Sequence, residues 1–84
     1  MKNKLIKILK ENLEIDDAML RIINSKTILF GPLSETGFDS IDAMAYIAGL
    51  RREFNIPSDQ NITLDNIISI EATANWLKEK KYDI

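Results

Sequence analysis

Two aspartates flank a serine in the run Gly37-Phe38-Asp39-Ser40-Ile41-Asp42. That hydroxyl matters because the rest of the chemical inventory is thin. The chain has no histidine and no cysteine. This removes the commonest general base, the commonest metal ligand, and any thiolate or disulfide. A catalytic triad or a zinc site is close to excluded by inventory alone. Ser40 stands at the expected start of a helix, where free N–H groups and the helix dipole favour negative charge. A negatively charged group would suit such a site, and a first-turn hydroxyl is expected to be exposed. Asp39 and Ser40 are also strong helix-capping residues. The pair alone therefore does not separate capping from chemistry.

The elements around Ser40 follow from spacing and breakers. In residues 2–13, Leu5, Ile8, Leu9 and Asn12 share one helical face, with Ile6 and Leu13 widening it and lysines opposite. Asp16 or Asp17 is placed to cap a short helix through Ile23. Residues 24–36 read as a long loop containing the breaker pair Gly31-Pro32. Ile28, Leu29, Phe30 and Leu33 interrupt it, and such residues are expected to plug into the core. A long loop held in this way is often functional.

The second strong helix starts at Asp39 or Ser40 and runs to about Asn55, ahead of Pro57. Ile47, Leu50 and Phe54 form an expected inward stripe, with Tyr46 beside it. Ile41, Met44 and Ala48 form a second apolar stripe, which is either core or a surface for a partner. Thr63 is placed to cap one short helix, and Ser69 to cap the last, from Ile70 to about Lys80. In that helix Ile70, Ala74 and Leu77 are expected to face inward, with Trp76 beside them. No segment alternates with period two, so no sheet is expected. The fold class is all-α: three principal helices plus one or two short ones, with a long loop between the first two.

Size and charge bound the function. Eighty-four residues allow one domain spanning 1–84, with a modest core at 45% hydrophobic content. A net charge of −2 argues against binding nucleic acid. No stretch is apolar enough for a membrane span. Lys7 and Lys10 break up the apolar run after the basic start, so no signal peptide is expected and the cytoplasm is the default location. A monomer is expected from the small size.

The motifs resemble one family along nearly the whole chain. The run from Gly37 to Asp42 resembles the Gly-x-Asp-Ser-Leu-Asp signature of acyl carrier proteins, with Ile41 in place of leucine. Phe54-Asn55-Ile56-Pro57 looks like the Phe-Gly-Ile-x-x-Pro end of that family's second helix, with a shorter turn. The run from Ser69 to Leu77 looks like its capped last helix. Leu29-Phe30-Gly31 resembles the lead-in of stand-alone carriers from secondary-metabolite pathways.

The resemblance implies a carrier rather than an enzyme. A phosphopantetheinyl transferase would attach 4'-phosphopantetheine from coenzyme A to Ser40, and the arm's thiol would hold an acyl group as a thioester. Asp39 and Asp42 would orient the transferase and its metal. Their plainer role is charge stabilisation at a helix start, about 0.3–1 kcal/mol each. Ile41, Met44 and Ala48 match the exposed positions with which family members dock partners. Those partners are acyl-loading enzymes and acyl-transfer or condensing enzymes of fatty-acid or specialised polyketide or polyene synthesis. An interior lined by Ile47, Leu50, Ile67 and Leu77 could receive an acyl chain, or could be an ordinary filled core.

The chain also departs from the family. Fatty-acid carriers have a strongly acidic second helix that meets basic partners. Here Ala45 replaces a usual glutamate. Asp39, Asp42 and Glu53 against Arg51 and Arg52 leave residues 39–53 with a net of one negative charge. That suggests a dedicated partner set. The first loop is several residues longer than usual. Tyr46 stands where an aliphatic residue is usual, and if buried its hydroxyl needs a partner. Two alternatives remain at this point: an aminoacyl, peptidyl or D-alanyl carrier, and a helical interaction module that never receives the arm. A small DNA-binding domain fails on charge.

Overall fold

The computed structural model describes residues 2–82. Among them the helices begin where side chains can cap them. Helix α1 is Lys2–Asn12 and α2 is Asp17–Ile22. Helix α3 is Ser40–Phe54, a 3-10 helix spans Leu64–Ile67, and α4 is Ile70–Glu79. No strand occurs among the described residues. The Asp16 carboxylate caps α2 by accepting the Met19 N–H at 2.8 Å. The Ser69 hydroxyl oxygen caps α4 by accepting the Ala72 N–H at 3.0 Å. Asn55, in the left-handed region at φ 54°, ends α3. The expected cap at Thr63 takes a different form. The Asn66 side-chain oxygen accepts from both the Thr63 N–H and its hydroxyl, each at 2.9 Å.

Helix α1 packs on α3 and α4, and the 3-10 helix bridges α3 to α4. Helix α2 fully buries no residue and is peripheral. The inward face of α3 differs from the expected stripe. Ala43, Tyr46, Gly49, Leu50 and Phe54 are buried, whereas Ile47 is only half-buried on the flank. Gly49 explains the rotation. A Cβ built there would collide with the Asn12 amide and lie 3.0 Å from Ile8 Cγ2. Helix α1 therefore rests directly on the backbone of α3, and that contact turns Tyr46 rather than Ile47 to the centre.

Tyr46 meets the requirement that burial imposes on it. Its hydroxyl donates to Thr73 Oγ1 at 3.4 Å, and the Thr73 hydroxyl donates to the Ser69 carbonyl at 3.0 Å. This relay also explains α4. Thr73 is wholly buried, and Ala74, the expected inward residue, is half-buried. Burial pushes the Tyr46 phenol up to about 12, with the Thr73 hydrogen bond opposing in part.

The long loop is anchored as its apolar content implies, with one exception. Leu29 and Phe30 are buried, and Ile28 is half-buried. Leu33 was expected in the core but is 75% exposed. Leu29 and Phe30 already anchor the segment, and Pro32-Leu33 forms its outward tip. Main-chain bonds hold the loop to the far side of the bundle: Leu29 N–H to Ile68 O at 2.7 Å, and Glu71 N–H to Ser25 O at 2.8 Å.

Gly49→Ala tests the close approach of α1. Alanine gains about 1 kcal/mol in helix propensity, but overpacking costs about 1–3 kcal/mol. Denaturant unfolding should show a net loss of about 1 kcal/mol. A gain would mean that α1 gives way cheaply. Tyr46→Phe tests the buried phenol. Its folded-state value is raised, so its contribution is whole below about pH 10 and lost as pH rises through about 12. Integrated over that window, the extra change in stability of wild type relative to Tyr46→Phe should amount to about 3 kcal/mol. Parallel slopes would contradict it.

Candidate functional site

Ser40 is exposed and is the first residue of α3. The two aspartates flanking it form a reciprocal cap. Asp39 Oδ1 accepts the Asp42 N–H, and Asp42 Oδ2 accepts the Asp39 N–H, each at 3.0 Å. Both carboxylates thus have a structural task at the helix start. The backbone N–H groups of Ser40 and Ile41 lie in the first turn and have no carbonyl within the helix to reach. They and the helix dipole suit an anion on the Ser40 oxygen.

The approach to Ser40 is set by its preceding turn. Gly37 adopts φ 80°, a conformation that other residues reach only with strain. Its N–H donates to Ser34 Oγ at 3.1 Å, and the Phe38 N–H donates to Thr36 Oγ1 at 3.2 Å. Phe38 then packs its ring 5.8 Å from Phe30, which lies 6.0 Å from Tyr46. Three aromatic rings in sequence thus tie the start of α3 to the core.

Beside Ser40 lies a cleft of about 290 Å³, lined by Phe30, Gly31, Phe38, Asp39, Ser40, Ala43 and Leu64. Its floor and walls are apolar, and its polar rim is Asp39 and Ser40. Sequence reasoning did not find it. It joins three stretches far apart in the chain; Asp39 and Ser40 were legible at its rim, but no local pattern set Leu64 and Ala43 beside the Leu29-Phe30-Gly31 run. The interior once considered for an acyl chain is different. Leu50, Ile67 and Leu77 are 0% accessible. No void that could hold a water touches them.

The second apolar stripe of α3 faces outward. Ile41 is 73% exposed, Met44 is 68% exposed, and Ala48 is exposed too. These positions are therefore surface rather than core. The two arginines at the far end of α3 have partners. Arg51 Nη1 donates to the Pro57 carbonyl at 2.6 Å. Arg52 Nη2 donates to Asn12 Oδ1, the amide that sits on Gly49. Their charges also suit the negative end of the helix.

A family model described as a phosphopantetheine attachment site matches residues 3–77. No curated protein and no solved structure gave a significant match. The matched span begins in α1, ends at Leu77 in α4, and includes Ser40 and every residue of the cleft. An exposed hydroxyl, unused first-turn N–H groups and an adjacent apolar cleft fit the prosthetic group of that family. No described helix is long and apolar enough to cross a membrane. The chain belongs to the phosphopantetheine attachment-site family, whose members are carrier domains that bear covalent 4'-phosphopantetheine and work with a transferase and biosynthetic enzymes.

Proposed function

We propose that this protein is an acyl carrier protein with Ser40 as its attachment residue. The observation that carries the reading is the exposed Ser40 hydroxyl at the first position of α3, inside the matched family span. A phosphopantetheinyl transferase joins Ser40 Oγ to the phosphate of the pantetheine half of coenzyme A. Adenosine 3',5'-bisphosphate leaves, and the serine proton passes to the transferase. Once bound, the arm supplies a terminal thiol that holds an acyl group as a thioester. The chain's own residues position and present. Asp39 and Asp42 hold the helix start and offer their outer carboxylate edges to the transferase. Ile41, Met44 and Ala48 form the apolar face on which acyl-loading, acyl-transfer or condensing enzymes dock. The domain spans the chain, acts as a monomer in the cytoplasm, and catalyses nothing by itself.

An acyl cargo is preferred to an aminoacyl one. Two departures from the family bear on the choice: the weak acidity of α3 and Tyr46. Arg51 and Arg52 have structural partners, so their presence needs no special cargo to account for it. The Tyr46 hydroxyl is bonded to Thr73 inside the core and is not turned toward Ser40's cleft. Fatty-acid synthesis and a specialised polyketide or polyene pathway both suit these features, and the altered charge of α3 favours the specialised one.

Intact-mass spectrometry after incubation with coenzyme A and a promiscuous transferase should show one phosphopantetheine-sized gain. Ser40→Ala should abolish it. A gain that persists in Ser40→Ala would move the attachment elsewhere, and no gain in a folded sample would favour an unmodified interaction module. Asp39→Asn separates the aspartate's two roles. Asparagine caps about as well as aspartate but lacks its charge at the positive end of the helix, so stability should fall by no more than about 1 kcal/mol. The initial rate of arm transfer should nonetheless fall severalfold. An unchanged rate would leave Asp39 as a cap alone.

A further inference from the structure

The cleft beside Ser40 is built to hold something, and the position of the tether limits what that is. We propose that it is a resting site for the proximal, dimethyl-bearing segment of the 4'-phosphopantetheine arm, with Phe30, Phe38 and Leu64 as its walls. The inference rests on Ser40 as the attachment residue.

Whatever is joined to Ser40 Oγ starts at the rim of the cleft, because Ser40 and Asp39 line it. The arm runs from its phosphate to a carbon bearing two methyl groups, then through a hydroxyl and two amides to the thiol. Its first apolar group is therefore the dimethyl unit, next to the phosphate. A short tether gives that unit the highest effective concentration at the cleft, and the distant thioester a lower one. The walls match it. Among the lining residues Phe30 and Ala43 are buried, Phe38 is half-buried, and Leu64 is 41% exposed.

Size points the same way. About 290 Å³ lies at the bottom of the range for small-molecule sites, roughly 300–1,000 Å³. One branched apolar unit and its neighbours fit; a folded arm together with a long acyl chain does not. The cleft does not continue into the core, where Tyr46, Leu50, Ile67 and Ile70 are 0% accessible. Gly31 lines the cleft where the loop passes the 3-10 helix. It lies at φ 94°, and a Cβ added there would reach 3.7 Å from Leu64 Cδ2.

The test uses the full chain in three forms: with the bare arm, with a butyryl thioester, and with an octanoyl thioester. Each carries a carbon-13-labelled arm, and intact mass verifies loading. Nuclear Overhauser contacts from the geminal methyls to the Phe30 and Phe38 rings are expected in all three forms. The methyl signals should also lie upfield of those in free coenzyme A, because they sit over aromatic rings. Phe38→Leu, compared after intact mass has verified that its arm is attached, should reduce that upfield shift. Methyl signals at their free positions, without ring contacts, overturn the proposal. So do contacts from the octanoyl chain that displace those of the methyls, since the cleft would then belong to the cargo. An unmodified mass would instead overturn the Ser40 reading, and the role of the cleft with it.

Discussion

The peptide group of Leu29 is the constraint on which the region around Ser40 depends. A loop without secondary structure enters the core at this point, and buried backbone groups must find partners. Each one left unpaired would cost about 1–3 kcal/mol. The Leu29 N–H reaches the Ile68 carbonyl, beyond the 3-10 helix. The Leu29 carbonyl accepts from both the Ser34 hydroxyl, at 2.8 Å, and the Thr36 hydroxyl, at 2.7 Å. Two side chains converging on one oxygen force the chain to curl. Ser34 Oγ then accepts the N–H groups of Thr36 and Gly37, and Thr36 Oγ1 accepts that of Phe38. The curl returns Phe38 to Phe30 and delivers Asp39 to the edge of the core. Helix α3 begins there because the preceding loop leaves it nowhere else to begin.

Helix α3 then serves two surfaces with one periodicity. Gly49 lets α1 lie on its backbone, which fixes its rotation and points Ala43, Tyr46, Leu50 and Phe54 inward. With that face occupied, Ile41, Met44 and Ala48 have to face outward. A helix with two apolar stripes can bury only one of them against a single-layer bundle. The exposure of the second follows from the packing of the first. The charges divide along the same helix. Asp39 and Asp42 stand at its positive end, and Arg51 and Arg52 at its negative end, each stabilised by the dipole. A partner approaching Ser40 meets the acidic end first, whatever the net charge of the helix.

Much of this was legible in the sequence where strong local signals coincided. Asp39, Asn55 and Pro57 mark both ends of α3, and Asp16 and Ser69 mark two other helix starts through cap chemistry. The burial of Leu29 and Phe30 followed from large apolar residues in a polar loop. The errors arose where two readings fitted the same spacing. Ile47, Leu50 and Phe54 fit a helical stripe, but so do Ala43, Tyr46, Leu50 and Phe54. The tie is broken by Gly49 meeting Asn12, a contact between distant segments. Leu33 looked like Leu29, but anchoring the loop used only one pair of side chains and left the tip free. Thr73 was passed over because its burial makes sense only with Tyr46 opposite. The cleft was illegible for the same reason, since residues 30–31, 38–43 and 64 share no local pattern.

The Tyr46–Thr73 pair also bears on where a ligand can go. The phenol donates to Thr73, and the Thr73 hydroxyl in turn donates a hydrogen bond to the Ser69 carbonyl at the start of α4. Prising α3 from α4 to admit an apolar chain would strand the Tyr46 hydroxyl in a dry interior. The cost would be about 1–3 kcal/mol, before any packing is lost. The cleft at Ser40 carries no such penalty, because its floor is apolar and its rim is already wet. An all-aliphatic interface between the same helices would offer less resistance to opening. The polar pair therefore ties α3 to α4 across the core. The rim of the cleft, where the loop, the start of α3 and the 3-10 helix meet, is the part of this region that opens to solvent without breaking that pair.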